Sequence, residues 1–301
     1  MNLQRIGLIG HGEVGKTFTS GLKDKRGVSA MGAWDLKFVD PATRNLELER
    51  CARLGVTAHG SMRELCEASD LVISAVTASN TLTVAQEAAK FIRAGSVFLD
   101  LNSASPATKQ QAAAAIDAQG ADYVEAGVMT SVPPYGIRVP MLLGGAQAAQ
   151  LAELLNGWDM DARAVSERLG VASAIKMCRS VMIKGLEALV IESYTTARKY
   201  GVEAHVLPTL QETFPSIDWE QQGGYFFSRV VQHGKRRAEE MREAANTVRE
   251  AGSEPSMAAA TADKQQWVAD CARDGVFDGL GPDALWQDYA DRLIAHSRPK
   301  T

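Results

Sequence analysis

The sequence predicts an α/β fold, a doubly wound parallel sheet followed by an all-α domain. Three observations predict it. Over roughly the first 125 residues, short apolar runs rich in Val, Ile and Leu alternate with longer stretches of helix-like composition. A glycine-rich turn joins the first apolar run to the first helical stretch. From about Trp158 the alternation stops and long helical stretches take over. Strand, helix and strand repeated in this way imply a parallel sheet covered by helices on both faces.

The expected strands are residues 5–9, 37–39, 71–75, 97–101 and 123–125, and the expected helices between them are 16–22, 62–68, 81–91 and 108–119. Residues 172–200 form one long helix, because Ala, Leu, Met, Lys and Glu dominate and no proline interrupts; Gly201 is its expected stop. Further helices are expected at 224–251, 256–274 and 284–296, and the last residues, 297–301, as a frayed tail. The chain of 301 residues suits two domains at about 150 residues each. We expect a sheet domain at 1–165 and a helical substrate and dimerisation domain at 166–301.

Bulk properties narrow the function classes. Hydrophobic residues make up 46% and charged residues 23%, ordinary for a globular protein with a sizeable core. A net charge of −4 argues against a nucleic-acid partner. The four cysteines (Cys51, Cys66, Cys178 and Cys271) form no C-x-x-C pair and share no metal-ligand spacing with histidine, so no metal is expected. Scattered cysteines suit a reducing compartment. With no apolar run of membrane-spanning length and no leader pattern, a cytoplasmic protein is expected.

Gly10, Gly12 and Gly15 fit G-x-G-x-x-G, with an apolar run before them and a helical stretch after them. Gly10 permits a tight turn, Gly12 lets backbone approach a pyrophosphate, and Gly15 lets the helix pack close. The intervening His11, Glu13 and Val14 belong to the same dinucleotide-binding loop, and the helix N-terminus offers its N–H groups to phosphate. This makes the sheet domain Rossmann-type. Asp40, after the run 37–39, is the expected acid for the adenosine ribose, 25 residues after Gly15 where about 20 is usual. A carboxylate there favours NAD over NADP, although Arg44 stands ready for a 2′-phosphate and Asp40 also suits a turn before Pro41.

Two further segments carry a resemblance. Asp100-Leu-Asn-Ser-Ala-Ser-Pro106 ends the fourth apolar run, and Gly170-Val-Ala-Ser-Ala-Ile-Lys176 opens the long helix. With the glycine loop, they resemble the β-hydroxyacid dehydrogenase superfamily, which includes 3-hydroxyisobutyrate and 6-phosphogluconate dehydrogenases. The stretch from His233 to Met241 is similar to a phosphogluconate-dehydrogenase-like branch with a short helical C-terminal domain.

The resemblance implies that Lys176 is the catalytic lysine, trading a proton with the substrate hydroxyl while hydride moves to the nicotinamide. Independently, a half-buried lysine has its pKa lowered by desolvation, toward the value a general base needs. Asn102 and Ser103 match the family's substrate-contact position, with capping of the next helix as an alternative role. Asn102, Val76 and Thr77 are also expected beside the cofactor. Ser180 lies four residues after Lys176, on the same helix face, where many members carry asparagine. One segment departs from the family. Its D-x-P-x-S-G-G cradle for the substrate carboxylate is Glu125-Ala-Gly-Val-Met129-Thr130-Ser131 here. Either the Thr130 and Ser131 hydroxyls replace that cradle or the substrate is not a simple 3-hydroxy carboxylate.

His233, with Lys235, Arg236 and Arg237, is either an anion site or part of a solvated helix face paired with Glu239, Glu240 and Glu243. The expected function is an NAD(P)-dependent dehydrogenase or reductase of a β-hydroxy acid, acting as a homodimer. Imine reductases share the architecture but commonly replace the lysine with aspartate or tyrosine. A nicotinamide-binding protein without chemistry is the third reading, and an intact Lys176 speaks against it.

Overall fold

The computed structural model describes residue 1 and residues 3–296. The expected frayed tail at 297–301 lies outside the described residues. The chain divides into two compact units, Met1–Cys178 and Arg179–Thr301. The division falls within the long helix α7 (Val171–Tyr200) rather than at 165/166, because the first turns of that helix pack on the sheet.

The first unit is built on a sheet with strand order β3-β2-β1-β4-β5-β6-β7-β8. The strands are β1 (Arg5–Ile9), β2 (Ala30–Trp34), β3 (Thr57–Ala58), β4 (Leu71–Ser74), β5 (Val97–Asp100), β6 (Asp122–Val128), β7 (Pro140–Gly144) and β8 (Asp161–Ser166). All neighbours run parallel except β6 and β7. Helices α1 (Glu13–Leu22), α2 (Arg44–Leu54), α3 (Met62–Ala68), α4 (Thr81–Ala89), α5 (Pro106–Asp117) and α6 (Ala148–Gly157) connect them. Side chains alternate along each strand. Leu71, Ile73, Val97 and Leu99 join one core layer, while Val72 and Phe98 join the other. Both faces are therefore dry, which explains why these strands read as continuous apolar runs.

The second strand is a correction. It is Ala30–Trp34, not 37–39. Ala-Met-Gly-Ala-Trp lacks β-branched residues, so its strand signal is weak. Gly32 pairs with Gly7 of β1, and a side chain there would meet the His59 ring at 2.6 Å. Leu36–Phe38 instead forms a 3₁₀ turn, started by the Asp35 carboxylate accepting the Lys37 N–H at 2.9 Å.

A buried polar network fixes the end of β5. Asp100 and Lys109 are both buried and pair at 2.9 Å. The Tyr123 hydroxyl donates to the other Asp100 oxygen at 2.5 Å, and Asn102 N–H donates to the first at 2.8 Å. Burial, then the charge of Asp100, raises the Tyr123 pKa well above that of a free phenol, which keeps it a donor.

The second unit is all helical among the described residues: the remainder of α7, then α8 (Glu203–Thr213), α9 (Trp219–Glu250), α10 (Ser256–Arg273) and α11 (Trp286–His296). Its core is aromatic, with Tyr194, Phe227, Trp286 and Tyr289 buried together. Gly234 lets α9 approach α10; a Cβ there would lie 2.8 Å from the Gln265 carbonyl oxygen. No described helix is long and apolar enough to cross a membrane.

Replacing Lys109 with Met strands the buried Asp100 carboxylate. Removing one partner of a buried pair costs about 3–5 kcal/mol, so urea denaturation of Lys109→Met should show a loss of that size with an unchanged m-value.

Candidate functional site

In the glycine loop, Gly10 has φ +91°, and a side chain there would run into the carbonyl of Ala75, just beyond β4. A Cβ on Gly15 would strike the Gly10 carbonyl oxygen, so α1 can only start against the turn if residue 15 is glycine. Gly12 differs. Its φ of −76° suits any residue, yet no protein atom lies within 4 Å of where its Cβ would be. Gly12 is also the N-cap of α1, and no side chain caps that helix. Glu13 is exposed and Val14 half-buried against the core. Gly10 and Gly15 thus serve the fold, while Gly12 and the uncapped helix start fit a pyrophosphate.

The acid directly after β2 is Asp35, 20 residues beyond Gly15. Its Oδ2 accepts the His11 N–H at 2.7 Å, which ties the end of β2 to the glycine loop. Asp40 does not end a strand; it is exposed and accepts the Ala42 N–H at 3.0 Å in a turn. Moving β2 upstream therefore moves the acid at its carboxyl end from Asp40 to Asp35. The His11 ring turns into the protein. It is fully buried, with Cys51 Sγ 3.6 Å from Nδ1 and the Phe38 ring edge-on at 5.8 Å. Burial, then nearby Lys16, lowers the His11 pKa. Burial, then Glu47, pushes the Cys51 thiol up to about 11.

The ends of β4 and β5 are latched together by Asn102. Its Oδ1 accepts the Val76 N–H at 2.7 Å and its Nδ2 donates to Ser74 Oγ at 2.9 Å. Thr77 is exposed and its Oγ1 accepts from Asn80 Nδ2 at 2.8 Å. Ser105, rather than Asn102 or Ser103, caps α5, its Oγ accepting the Thr108 N–H at 3.3 Å. Ser103 is half-buried at the same edge.

Glu125 of β6, named in the altered cradle segment but given no role by the sequence, is completely buried. Its Oε1 accepts Gly170 N–H at 2.7 Å and Ala172 N–H at 3.0 Å; its Oε2 accepts Ser173 N–H at 3.3 Å. The carboxylate therefore caps α7 from the sheet. An acid inside an apolar strand is the signal that was available, since a buried carboxylate needs donors. Two residues on, a Cβ at Gly127 would lie 3.1 Å from the Ala172 carbonyl oxygen and 3.5 Å from Lys176 Cβ. Lys176, half-buried, thus sits over the carboxyl end of β6. Met129 continues that strand end, its N–H bonded to the Pro140 carbonyl at 2.9 Å; Met129 and Ser131 are half-buried and Thr130 is exposed.

The glycine loop, Val76, Thr77, Asn102, Ser103, Met129 and Lys176 therefore share one edge, the carboxyl ends of β1, β4, β5 and β6, where open α/β sheets bind ligands. Ser180 and His233 belong to the second unit. Ser180 is buried one turn beyond Lys176 on α7, and His233 is half-buried on α9. The basic cluster splits. Lys235 and Arg236 are exposed, whereas Arg237 is buried and bonds Glu187 of α7 at 2.9 Å. Lys184 likewise pairs with Glu240. Arg237 is therefore neither solvated nor free to hold an anion.

Comparison with known proteins adds the relationship. Residues 5–153 match the family model for the NAD binding domain of 6-phosphogluconate dehydrogenase, and residues 197–268 match a domain of unknown function, DUF1932. A conserved hypothetical protein from Sinorhizobium meliloti is 38% identical, covering 98% of this chain and 97% of that one, with a TM-score of 0.77. A conserved protein of unknown function, structurally similar to 3-hydroxyacid dehydrogenases, is 31% identical over 89% of this chain and 98% of that one, with a TM-score of 0.67. The chain belongs to the β-hydroxyacid dehydrogenase superfamily. Within the superfamily fold, a Mycobacterium tuberculosis 3-hydroxyisobutyrate dehydrogenase aligns at 15% identity over 97% of this chain and 99% of that one, with a TM-score of 0.66. Imine reductases share the fold too, at 18% identity and a TM-score of 0.53, so fold alone does not choose between alcohol and imine substrates.

Two predictions follow from the loop. Gly12→Ala should leave the thermal midpoint unchanged but weaken dinucleotide binding measured by calorimetry, while Gly10→Ala should lower the midpoint. Burial lowers the His11 pKa in the folded state, whereas the unfolded chain protonates it near pH 6.5. Its contribution to stability is complete above that pH and is lost as pH falls below it. The drop in thermal midpoint between pH 7.5 and 5 should be smaller in His11→Leu; His59, also lowered by burial, leaves part of the slope in place.

Proposed function

We propose that the protein is an NAD-dependent dehydrogenase that moves hydride between the nicotinamide and a β-hydroxy acid or its keto form. The observation that supports this best is Lys176, on the second turn of α7 and packed over Gly127, at the same sheet edge as the glycine loop. The dinucleotide, when bound, supplies the hydride acceptor. Gly12 and the start of α1 would hold its pyrophosphate, and Asp35 its adenosine ribose. A carboxylate at Asp35 repels a 2′-phosphate, which supports NAD over NADP.

The chain's own part is proton handling. As the carbinol carbon loses hydride, its hydroxyl proton passes to the Lys176 amine, leaving a carbonyl; in the reverse direction Lys176 returns that proton to the oxygen. Thr130 and Ser131 offer hydroxyl groups to the substrate carboxylate. The half-buried Met129 adds an apolar surface, which supports a substrate other than the simplest 3-hydroxy carboxylates.

Lys176→Ala should keep dinucleotide affinity and lose activity by about 10²–10⁴-fold, the usual contribution of a positioned acid or base. The wild-type protein should be screened with 2- and 3-hydroxy acids and both cofactors, following reduced-nicotinamide absorbance. Oxidation with NAD preferred is the expected result. Unchanged kcat in the variant rejects Lys176 as the proton carrier. Turnover of imines alone, or binding with no turnover, rejects the proposal itself.

A further inference from the structure

We infer that Glu125 is the positioning residue for Lys176, setting the height and rotation of α7 over the sheet edge. The inference rests on the role proposed for Lys176. A helix start leaves its first N–H groups without intrahelical partners, and a local Ser, Thr, Asp or Asn at the N-cap usually satisfies them. The residue at the start of α7 is Gly170, with φ +97°, which has no side chain to do so. Ser173 does not serve either, since its hydroxyl donates back to the Gly170 carbonyl at 3.1 Å. The donors go instead to Glu125, on another element 45 residues away. A local cap would hold the helix together equally well. Only a cap borrowed from β6 also ties the helix to the strand.

The surroundings are shaped for this tie. Gly144 pairs directly with Glu125 in the antiparallel β6–β7 register. A Cβ there would lie 2.5 Å from Glu125 Oε1 and 3.1 Å from its Cγ. Residues 125 and 127 point to the same face of β6. The carboxylate grips the N–H groups of the first turn, and Gly127 lets the next turn, with Lys176, come down to contact. Rotation of α7 by one residue would swing Lys176 through about 100°. The bonds to Gly170, Ala172 and Ser173 oppose that rotation within two turns of the lysine.

Glu125→Gln leaves the shape but turns an NH₂ group toward N–H donors. A misplacement of about 1 Å at a reacting group can cost on the order of 100-fold, so kcat should fall by about that factor, with the dinucleotide Kd within about twofold of wild type. The second readout needs no turnover. Hydrogen exchange followed by mass spectrometry should speed up in peptides spanning residues 168–178 and stay unchanged in those of β1, β4 and β5. Should the glutamine variant fail to fold, Gly144→Ala keeps the carboxylate and crowds it; the same local change is expected. Unchanged exchange at 168–178, exchange raised across the whole sheet, or lost protection with unchanged kcat each overturns the positioning role. If the wild type turns over no substrate, the proposed function fails, and exchange still reports on the tie itself.

Discussion

Carboxylates that accept backbone N–H groups organise the working edge of this sheet. Asp35 after β2 takes the His11 amide, Asp100 at the end of β5 takes that of Asn102, and Glu125 in β6 takes three from the start of α7. Loops at a strand's carboxyl end have no ladder to satisfy them, and buried backbone donors must be paired. These three acids meet that need, and Asp35 and Glu125 each also tie a loop or helix start to a different element. Asn102 completes the set by bridging β4 and β5 with its amide.

Much of this was legible in the sequence. The glycine loop, β1, β4, β5 and the long helix stand where their apolar patterns put them, because fully buried parallel strands and a 30-residue helix leave strong signals. The misplaced second strand has a physical cause. The strand ending at Trp34 has no β-branched residue, while the more strand-like Lys37-Phe38-Val39 is a turn whose Val39 is largely exposed. Asp40 is the acid after that misplaced strand; the acid that follows the observed one is Asp35, at the usual spacing from Gly15. Helices α2, α6 and α8 and strands β3, β7 and β8 went unread, their apolar periodicity being short or diluted by charge.

The candidate residues leave signals in the sequence, but their supports do not. Lys176, Asn102 and the glycines carry motif spacing. Glu125 and Gly144 lie 19 residues apart and meet only through an antiparallel register that no local pattern announces. The helical unit shows the same limit. A run of three basic residues looks uniform in sequence, but helical geometry turns Arg237 inward to Glu187 and leaves Lys235 and Arg236 outside.

Asp35 carries a consequence for redesign. The proposed function gives it the adenosine ribose, and it also holds the glycine loop through the His11 amide. On that proposal, cofactor preference and loop rigidity share one side chain. A change of residue 35 aimed at a phosphorylated nucleotide would loosen the loop that must grip it. Re-engineering would have to supply a new acceptor for that amide alongside the new phosphate contact.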